Sequence, residues 1–248
     1  LIPFPNSNSE VDLKANYKRI LLKLSGEALG GKEGRGFDYE TIRIITDQVV
    51  AVHDLGVEVA VVIGGGNIFR GASSSEGNIG RVPGDQMGML ATVINSICLQ
   101  EMLEQRSVHT RVQSAVELNA IAEPYIKRKA DRHLEKHRVV IFAGGTGNPF
   151  FTTDTAAVLR ASEISAEIVI KATKTNGVYD KDPMLHEDAV RYSSLNYDTV
   201  LEKDLRFMDS TAIAFAKENQ LPVVVLDVHD TDAILNTVCG QTPGTLIS

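Results

Sequence analysis

The sequence predicts an α/β fold: a mostly parallel sheet covered by helices on both faces. Three observations carry this. Apolar runs of strand length alternate with stretches of helical period. Most of those runs are unbroken Val, Ile and Leu, as in strands buried on both sides. Glycine-rich turns at 25–36, 64–71 and 144–148 each follow such a run. Right-handed crossovers bring the carboxyl ends of these strands to one edge, where α/β proteins bind ligands.

The elements follow in chain order. Residues 1–16 lack an apolar h-region and an Arg-rich amphipathic pattern, so they are read as a flexible extension and not a signal peptide. A first strand is expected at 19–24, a helix at 39–55 and a second strand at 58–63. Helical period resumes at 86–105, with a strand at 108–112 and a helix at 125–136. The run 138–143 reads as a buried strand, and 153–164 as the helix behind it, capped by Thr153 or Asp154. Strands at 167–172, 222–228 and 244–247 alternate with helices at 209–219 and 231–239. No linker divides the chain. Residues 17–248 form one domain, with a soft boundary between lobes at 17–165 and 166–248.

The chain has 248 residues, 43% hydrophobic and 23% charged, which is a soluble globular composition. A net charge of −7 without a basic run argues against nucleic acid as the main partner, yet leaves a nucleotide open. No apolar run is long enough for a membrane span. Cys98 and Cys239 stand in apolar helical contexts and read as buried thiols, which points to a reducing, cytoplasmic compartment.

Two common phosphate devices fail. Residues 26–33 nearly spell a P-loop, but Glu33 stands where a Mg²⁺-ligating hydroxyl belongs. The glycine turns at 64–69 and 145–150 both lack the last glycine of the dinucleotide fingerprint. His133 and His137 have metal-ligand spacing, but the cations around them favour a solvated helix face, so no metal ligands are assigned.

A different constellation remains. Lys23 interrupts an apolar strand just before Ser25-Gly26, where a lysine is costly unless paired or functional. Gly64-Gly65-Gly66-Asn67 ends the next strand, and Arg70 follows. The string Gly144-Gly145-Thr146-Gly147-Asn148-Pro149-Phe150-Phe151-Thr152-Thr153-Asp154 turns from strand to helix, where backbone N–H groups and the helix dipole suit a phosphate. Asp154 makes sense there if it holds a cation or a lysine. Lys171 is either a second phosphate cation or the partner of Asp154. Tyr179 offers a ring for a base and Asp182 an acceptor, in a turn-rich segment. Cations, glycine turns and one carboxylate, without His or Cys, suit phosphoryl transfer, which needs positioning and charge neutralisation.

These motifs, from Lys23-Leu24-Ser25-Gly26-Glu27 through Gly84-Asp85-Gln86-Met87-Gly88 to Lys171-Ala172-Thr173-Lys174 and Asn176-Gly177-Val178-Tyr179, resemble the bacterial UMP kinases of the amino-acid kinase superfamily. The resemblance runs from about Tyr17 to the C-terminus. It implies a three-layer αβα sandwich and Mg²⁺-dependent transfer of the ATP γ-phosphate to UMP. It implies catalytic roles for Lys23, Asp154 and Lys171. ATP would be held by Lys23, Leu24, Ser25, Gly26, Gly66, Arg70, Thr173, Tyr179 and Asp182. UMP would be held by Gly65, Asp85, Thr146, Gly147, Asn148, Pro149, Phe150, Phe151, Thr152 and Thr153. Activation by GTP, inhibition by UTP and a homohexamer are further implications. The effector segment aligns with Gly31, Lys32, Glu33, Gly34, Arg35 and Gly36, read as a mobile excursion without a helix behind it. Two rivals stay open: another kinase of the superfamily, acting on carbamate, acetylglutamate, aspartate or glutamate, and a non-catalytic nucleotide sensor on the same fold.

Overall fold

A computed structural model describes residues 14–69 and 79–248. Its nine-stranded sheet has β1 (Arg19–Leu24) near the centre, flanked by β2 (Glu58–Ile63) and β6 (Ile168–Thr173). Beyond β2 lie β5 (Val139–Ala143), β3 (Thr110–Ser114) and the two-residue β4 (Glu123–Pro124). Beyond β6 lie β8 (Val223–Asp227), β9 (Thr245–Ile247) and β7 (Ser194–Leu195). All pairings are parallel except β8 with β9. The chain crosses from one half of the sheet to the other between β5 and β6, which makes the carboxyl end of β1 and β6 a topological switch point.

Each central strand buries both faces, so alternate residues feed two cores. Ile20, Leu22 and Leu24 face the layer of α2 (Tyr39–Asp54), α3 (Arg81–Glu104) and α8 (Ala233–Val238). Leu21, Val62 and Val169 face α4 (Lys127–Glu135), α5 (Thr153–Glu163) and α7 (Ser210–Glu218). The predicted three layers are present. Ala15 packs on the first core and the Asn16 N–H donates to the Val238 carbonyl at 2.9 Å.

Several expectations need correction. α3 begins five residues before its predicted start. Pro83 is tolerated because it lies in the first turn, where the N–H has no intrahelical acceptor. β3 lies two residues later than predicted. β4, β7 and α6 (Tyr197–Glu202) are too short to show a period, and the sequence reading missed them. A short helix, α1 (Gly26–Leu29), follows β1. Cys98 and Cys239 are free but only half-buried. His133 is not on a solvated face: its Nε2 lies 3.0 Å from Glu123 and its Nδ1 3.1 Å from an Arg138 guanidinium nitrogen, while His137 falls beyond the helix.

Candidate active site

Parallel pairing sets β1 beside β6 with Lys23 opposite Lys171. Strand alternation sends both toward the α5 layer, two residues on from Leu21 and Val169. Each lysine is only 6% exposed. Two cations side by side in a buried layer need a carboxylate. The start of α5 supplies it: Lys23 Nζ lies 2.6 Å from Asp154 Oδ1, and Lys171 Nζ 2.6 Å from Oδ2. Lys171 also donates to the Phe207 carbonyl at 2.5 Å. Burial by itself would raise the Asp154 carboxyl, but the charges of Lys23 and Lys171 prevail and hold it at about 2. Burial, and then the Lys23 charge, pull the Lys171 ammonium down to about 8 against the attraction of Asp154. Asp154 is therefore an anion at any working pH, whereas Lys171 is close to its titration point.

Hydroxyls and a second aspartate fix the start of α5. Thr152 is the N-cap, its side chain accepting the Asp154 N–H at 3.0 Å. The Thr152 hydroxyl donates to Asp209, as does that of Thr155 at 3.0 Å. Asp209 also caps α7, accepting the Ala212 N–H at 2.8 Å. One side chain thus ties together the starts of two helices.

The glycine turns close on one another. Ser25 caps α1, accepting the Ala28 N–H at 3.2 Å. A Cβ at Gly26 would stand 2.5 Å from Gly66 N and 2.7 Å from Gly64 O, so only glycine lets the turns after β1 and β2 touch. A Cβ at Gly65 would meet Ala91 Cβ at 2.7 Å, which places that turn flush against α3.

Three cavities adjoin along this edge. One of about 270 Å³ is lined by Gly65, Gly66, Asp85, Thr146, Asn148, Phe151, Thr152 and Thr153 from the predicted set. Gly147, Pro149 and Phe150 do not line it. Arg81, Phe69, Met89 and Thr92 do, and sequence reasoning missed them. Arg81 had a signal, since it stands four residues before Asp85 on one helix face. Its Nε donates to Asp85 Oδ2 at 2.8 Å, and the Phe150 N–H donates to the same oxygen at 2.7 Å. Burial would raise the Asp85 carboxyl, but those two donors outweigh it and lower it. Phe150 is held at φ 73°, unusual for an aromatic residue, with Arg81 5.6 Å from its ring centroid.

A second cavity, of about 490 Å³, contains Asp154 and shares Thr152 with the first. A third, of about 370 Å³, is lined by Tyr179, Asp182, Gly177 and Thr175, and shares Asp204, Leu205, Arg206 and Phe207 with the second. The segment 204–207 is thus a common wall, and nothing in its sequence announced it. Thr173 does not line the third cavity; its hydroxyl accepts the Thr175 N–H at 3.0 Å. The Leu24 side chain is buried in the apolar core, leaving only its backbone for the site. Arg70 lies outside the described residues.

The segment 31–36 is a bonded turn, not an open excursion. Gly31–Glu33 form a 3₁₀ turn ended by Gly34 at φ 65°. Lys174 Nζ donates to the Gly31 carbonyl at 2.9 Å, and the Gly36 N–H to the Asn67 carbonyl at 2.9 Å. Lys32, Glu33 and Arg35 remain exposed on it.

The model of the amino acid kinase family matches residues 18–227. A UMP kinase from Bacillus anthracis is 39% identical, covering 94% of this chain and 96% of its own, with a TM-score of 0.91. A UMP kinase from Ureaplasma parvum is 32% identical, covering 93% and 98%, with a TM-score of 0.88. A uridylate kinase from Archaeoglobus fulgidus is 27% identical over 92% and 99%, with a TM-score of 0.73.

Proposed function

The chain belongs to the amino acid kinase family, and on that premise we propose that it is a UMP kinase, moving the γ-phosphoryl group of MgATP to UMP to give UDP and ADP in pyrimidine nucleotide synthesis. The observation that carries this reading is the Lys23–Asp154–Lys171 cluster, whose carboxylate lines the cavity of about 490 Å³ while the two lysines lie buried behind it. The UMP phosphate is already an anion, so it needs no general base. The chain's task is to align it and neutralise charge. Lys23 meets the migrating phosphoryl group, Lys171 assists, and Asp154 holds both ammonium groups in place. The turns at Ser25-Gly26 and Gly66 face the ATP phosphates, and Tyr179 and Asp182 the nucleoside part of ATP. The 270 Å³ cavity takes UMP, with Thr146 to Thr153 around its phosphate. On this reading the UMP lobe is 17–165 and the ATP lobe 166–248.

Mg²⁺ belongs to the substrate here. Both Asp154 oxygens lie 2.6 Å from a lysine ammonium, Oδ2 accepting a hydrogen bond from Lys171 and Oδ1 paired with Lys23 by charge alone, and among the described residues no group of three His, Cys, Asp or Glu converges on a metal position. An ion carried on nucleotide phosphates suits that donor set. A phosphate-transfer assay with UMP, CMP, carbamate, acetylglutamate, aspartate and glutamate tests the assignment. Turnover of an amino acid in preference to UMP rejects it.

Oligomerisation has its own support. Met87, Leu90, Ile94 and Ile97, three or four residues apart on α3, are all exposed on one face. This stripe suits burial against other copies in a homohexamer. Among the described residues no helix is long and apolar enough to cross a membrane. Free thiols at Cys98 and Cys239 suit a cytoplasmic setting.

Three predictions follow from the site. Asp85→Ala should raise KM for UMP roughly tenfold or more, and KM for ATP far less, because a carboxylate that bonds the ribose is lost. Equal effects on both substrates assign Asp85 another task. The Lys171 ammonium, lowered to about 8, loses its charge as pH rises through that value. For the free enzyme, kcat/KM should therefore fall above pH 8, while the kcat limb lies higher because bound phosphates retain the proton. A kcat/KM profile level from pH 7 to about 9.5 rejects the role given to the charge. The third prediction concerns effectors, with GTP as activator and UTP as inhibitor. Lys174 links the 31–36 turn to the strand that carries Lys171, so a nucleotide phosphate on Lys32 or Arg35 has a route to the site. Arg35→Ala and Lys32→Ala should leave basal turnover within about twofold and blunt the response to GTP. No response to GTP in the unaltered chain removes this reading.

A further inference from the structure

The buried face of α3 carries Thr92, Asn95 and Ser96, none more than 3% exposed. Buried polar groups cost free energy unless they are bonded. Ser96 turns back on its own helix, donating to the Thr92 carbonyl at 2.7 Å. The other two reach out of it. Asn95 Nδ2 donates to the Gly64 carbonyl at 2.6 Å and to Asn67 Oδ1 at 2.7 Å, and Asn67 returns a bond to Asn95 Oδ1 at 3.1 Å. Thr92 Oγ1 accepts the Gly144 N–H at 2.7 Å and donates to the Met89 carbonyl at 2.6 Å. Gly64 opens the turn after β2, and Gly144 the turn after β5. One turn of one helix therefore grips the backbones of both glycine turns that border the 270 Å³ cavity.

We propose that Thr92 and Asn95 are positioning residues for the phosphoryl transfer, setting the separation and tilt of the Gly64–Gly66 and Gly144–Gly147 turns. The proposal rests on the UMP kinase reading and deepens it. A glycine turn has no side chain to lock it, so its rigidity must come from outside. A displacement of about 1 Å at reacting groups costs on the order of 10²-fold in rate. Asn67 and Asn95 form a reciprocal amide pair, and Asn67 Nδ2 also donates to the Gly36 carbonyl at 2.8 Å. The bonded set thus extends from α3 to the end of the 31–36 turn.

The test uses the full chain with ATP and UMP. Thr92→Val keeps the shape of the side chain and removes the acceptor, while Thr92→Ser keeps the hydroxyl. Thr92→Val should lower kcat about tenfold or more with both KM values within about threefold, and Thr92→Ser, which keeps the acceptor for the Gly144 N–H, should recover most of the kcat that Thr92→Val loses. Hydrogen exchange at residues 144–147 should accelerate in Thr92→Val alone. Leu103→Ala, a fully buried change at the far end of α3, should lower the melting temperature without that loss of kcat. If Thr92→Val does not fold, Asn95→Ala is read in the same way, with exchange followed at residues 64–66. Parental kcat in the variant, or an equal loss of kcat in Leu103→Ala, overturns the proposal. Absence of UDP formation by the unaltered chain overturns the UMP kinase reading and this inference with it. UDP formation with an indifferent Thr92→Val overturns this inference alone.

Discussion

Lys23→Ala should lower kcat by roughly 10²-fold or more, with a smaller change in UMP affinity, as expected when a contact made in the transition state is lost. The lysine is 6% exposed, and its ammonium approaches Asp154 at 2.6 Å. Its charge is therefore already in place before the phosphoryl group moves. A preorganised charge in a water-poor site acts more strongly than one in solvent. Arginine is a poor replacement, because a planar fork does not fit where a compact ammonium is buried against Asp154 at the start of α5. Steady-state kinetics with saturating ATP and UMP provide the check. A variant with parental kcat shows that Lys23 is structural.

Asp154→Asn should be damaging in a second way. Without the carboxylate, two ammonium groups on paired strand positions face each other in a buried layer. Breaking a buried ion pair by removing one partner costs about 3–5 kcal/mol. Catalysis should fall about as far as in Lys23→Ala, because neither lysine is then held in position. The pH dependence of stability distinguishes this cause from a packing defect. In the parent, Lys171 titrates at about 8 when folded, below its ordinary 10.5. Between those values the unfolded chain binds more protons than the folded one, so stability rises with pH across that window. Loss of Asp154 moves the folded value lower still and widens the window. The deficit in melting temperature should therefore be greatest near neutral pH and shrink by about pH 9.5. A deficit that is the same at both pH values removes the like-charge explanation.

Much of this cluster was legible because it breaks local rules. A lysine in an apolar strand and an aspartate at the end of a glycine-rich turn both demand partners. What the sequence could not supply was the pairing itself. Lys171 stood equally well as a phosphate ligand or as the partner of Asp154. Only the β1–β6 register brings it within 2.6 Å of the carboxylate. The Phe207 carbonyl on Lys171 was invisible because a backbone acceptor has no residue signature. The 204–207 wall was missed for a related reason: its neighbours β7 and α6 are too short to show a period. The start of α3 was obscured by Pro83, Gly84 and Gly88. They look like breakers, yet the first is harmless in a first turn and the glycines let backbone lie close to the cavity.

The side-by-side lysines also bear on how the sheet finds its alignment. Ile20-Leu21-Leu22 and Ile168-Val169-Ile170 are apolar on both faces. Their greasy content alone therefore does not distinguish one alignment from a neighbour slipped by a single residue. Lys23 and Lys171 remove that degeneracy. A slip of one strand by one residue turns its lysine away from α5 into the opposite core, where Leu24 and Ala172 now sit among apolar neighbours. Such an arrangement strands one ammonium without its counter-ion, at a cost far above that of exchanging leucine for isoleucine. The two charges therefore favour one strand pairing over its slipped neighbours, with or without substrate. A chain stripped of both would keep its oily strands and lose the mark that selects one pairing among several.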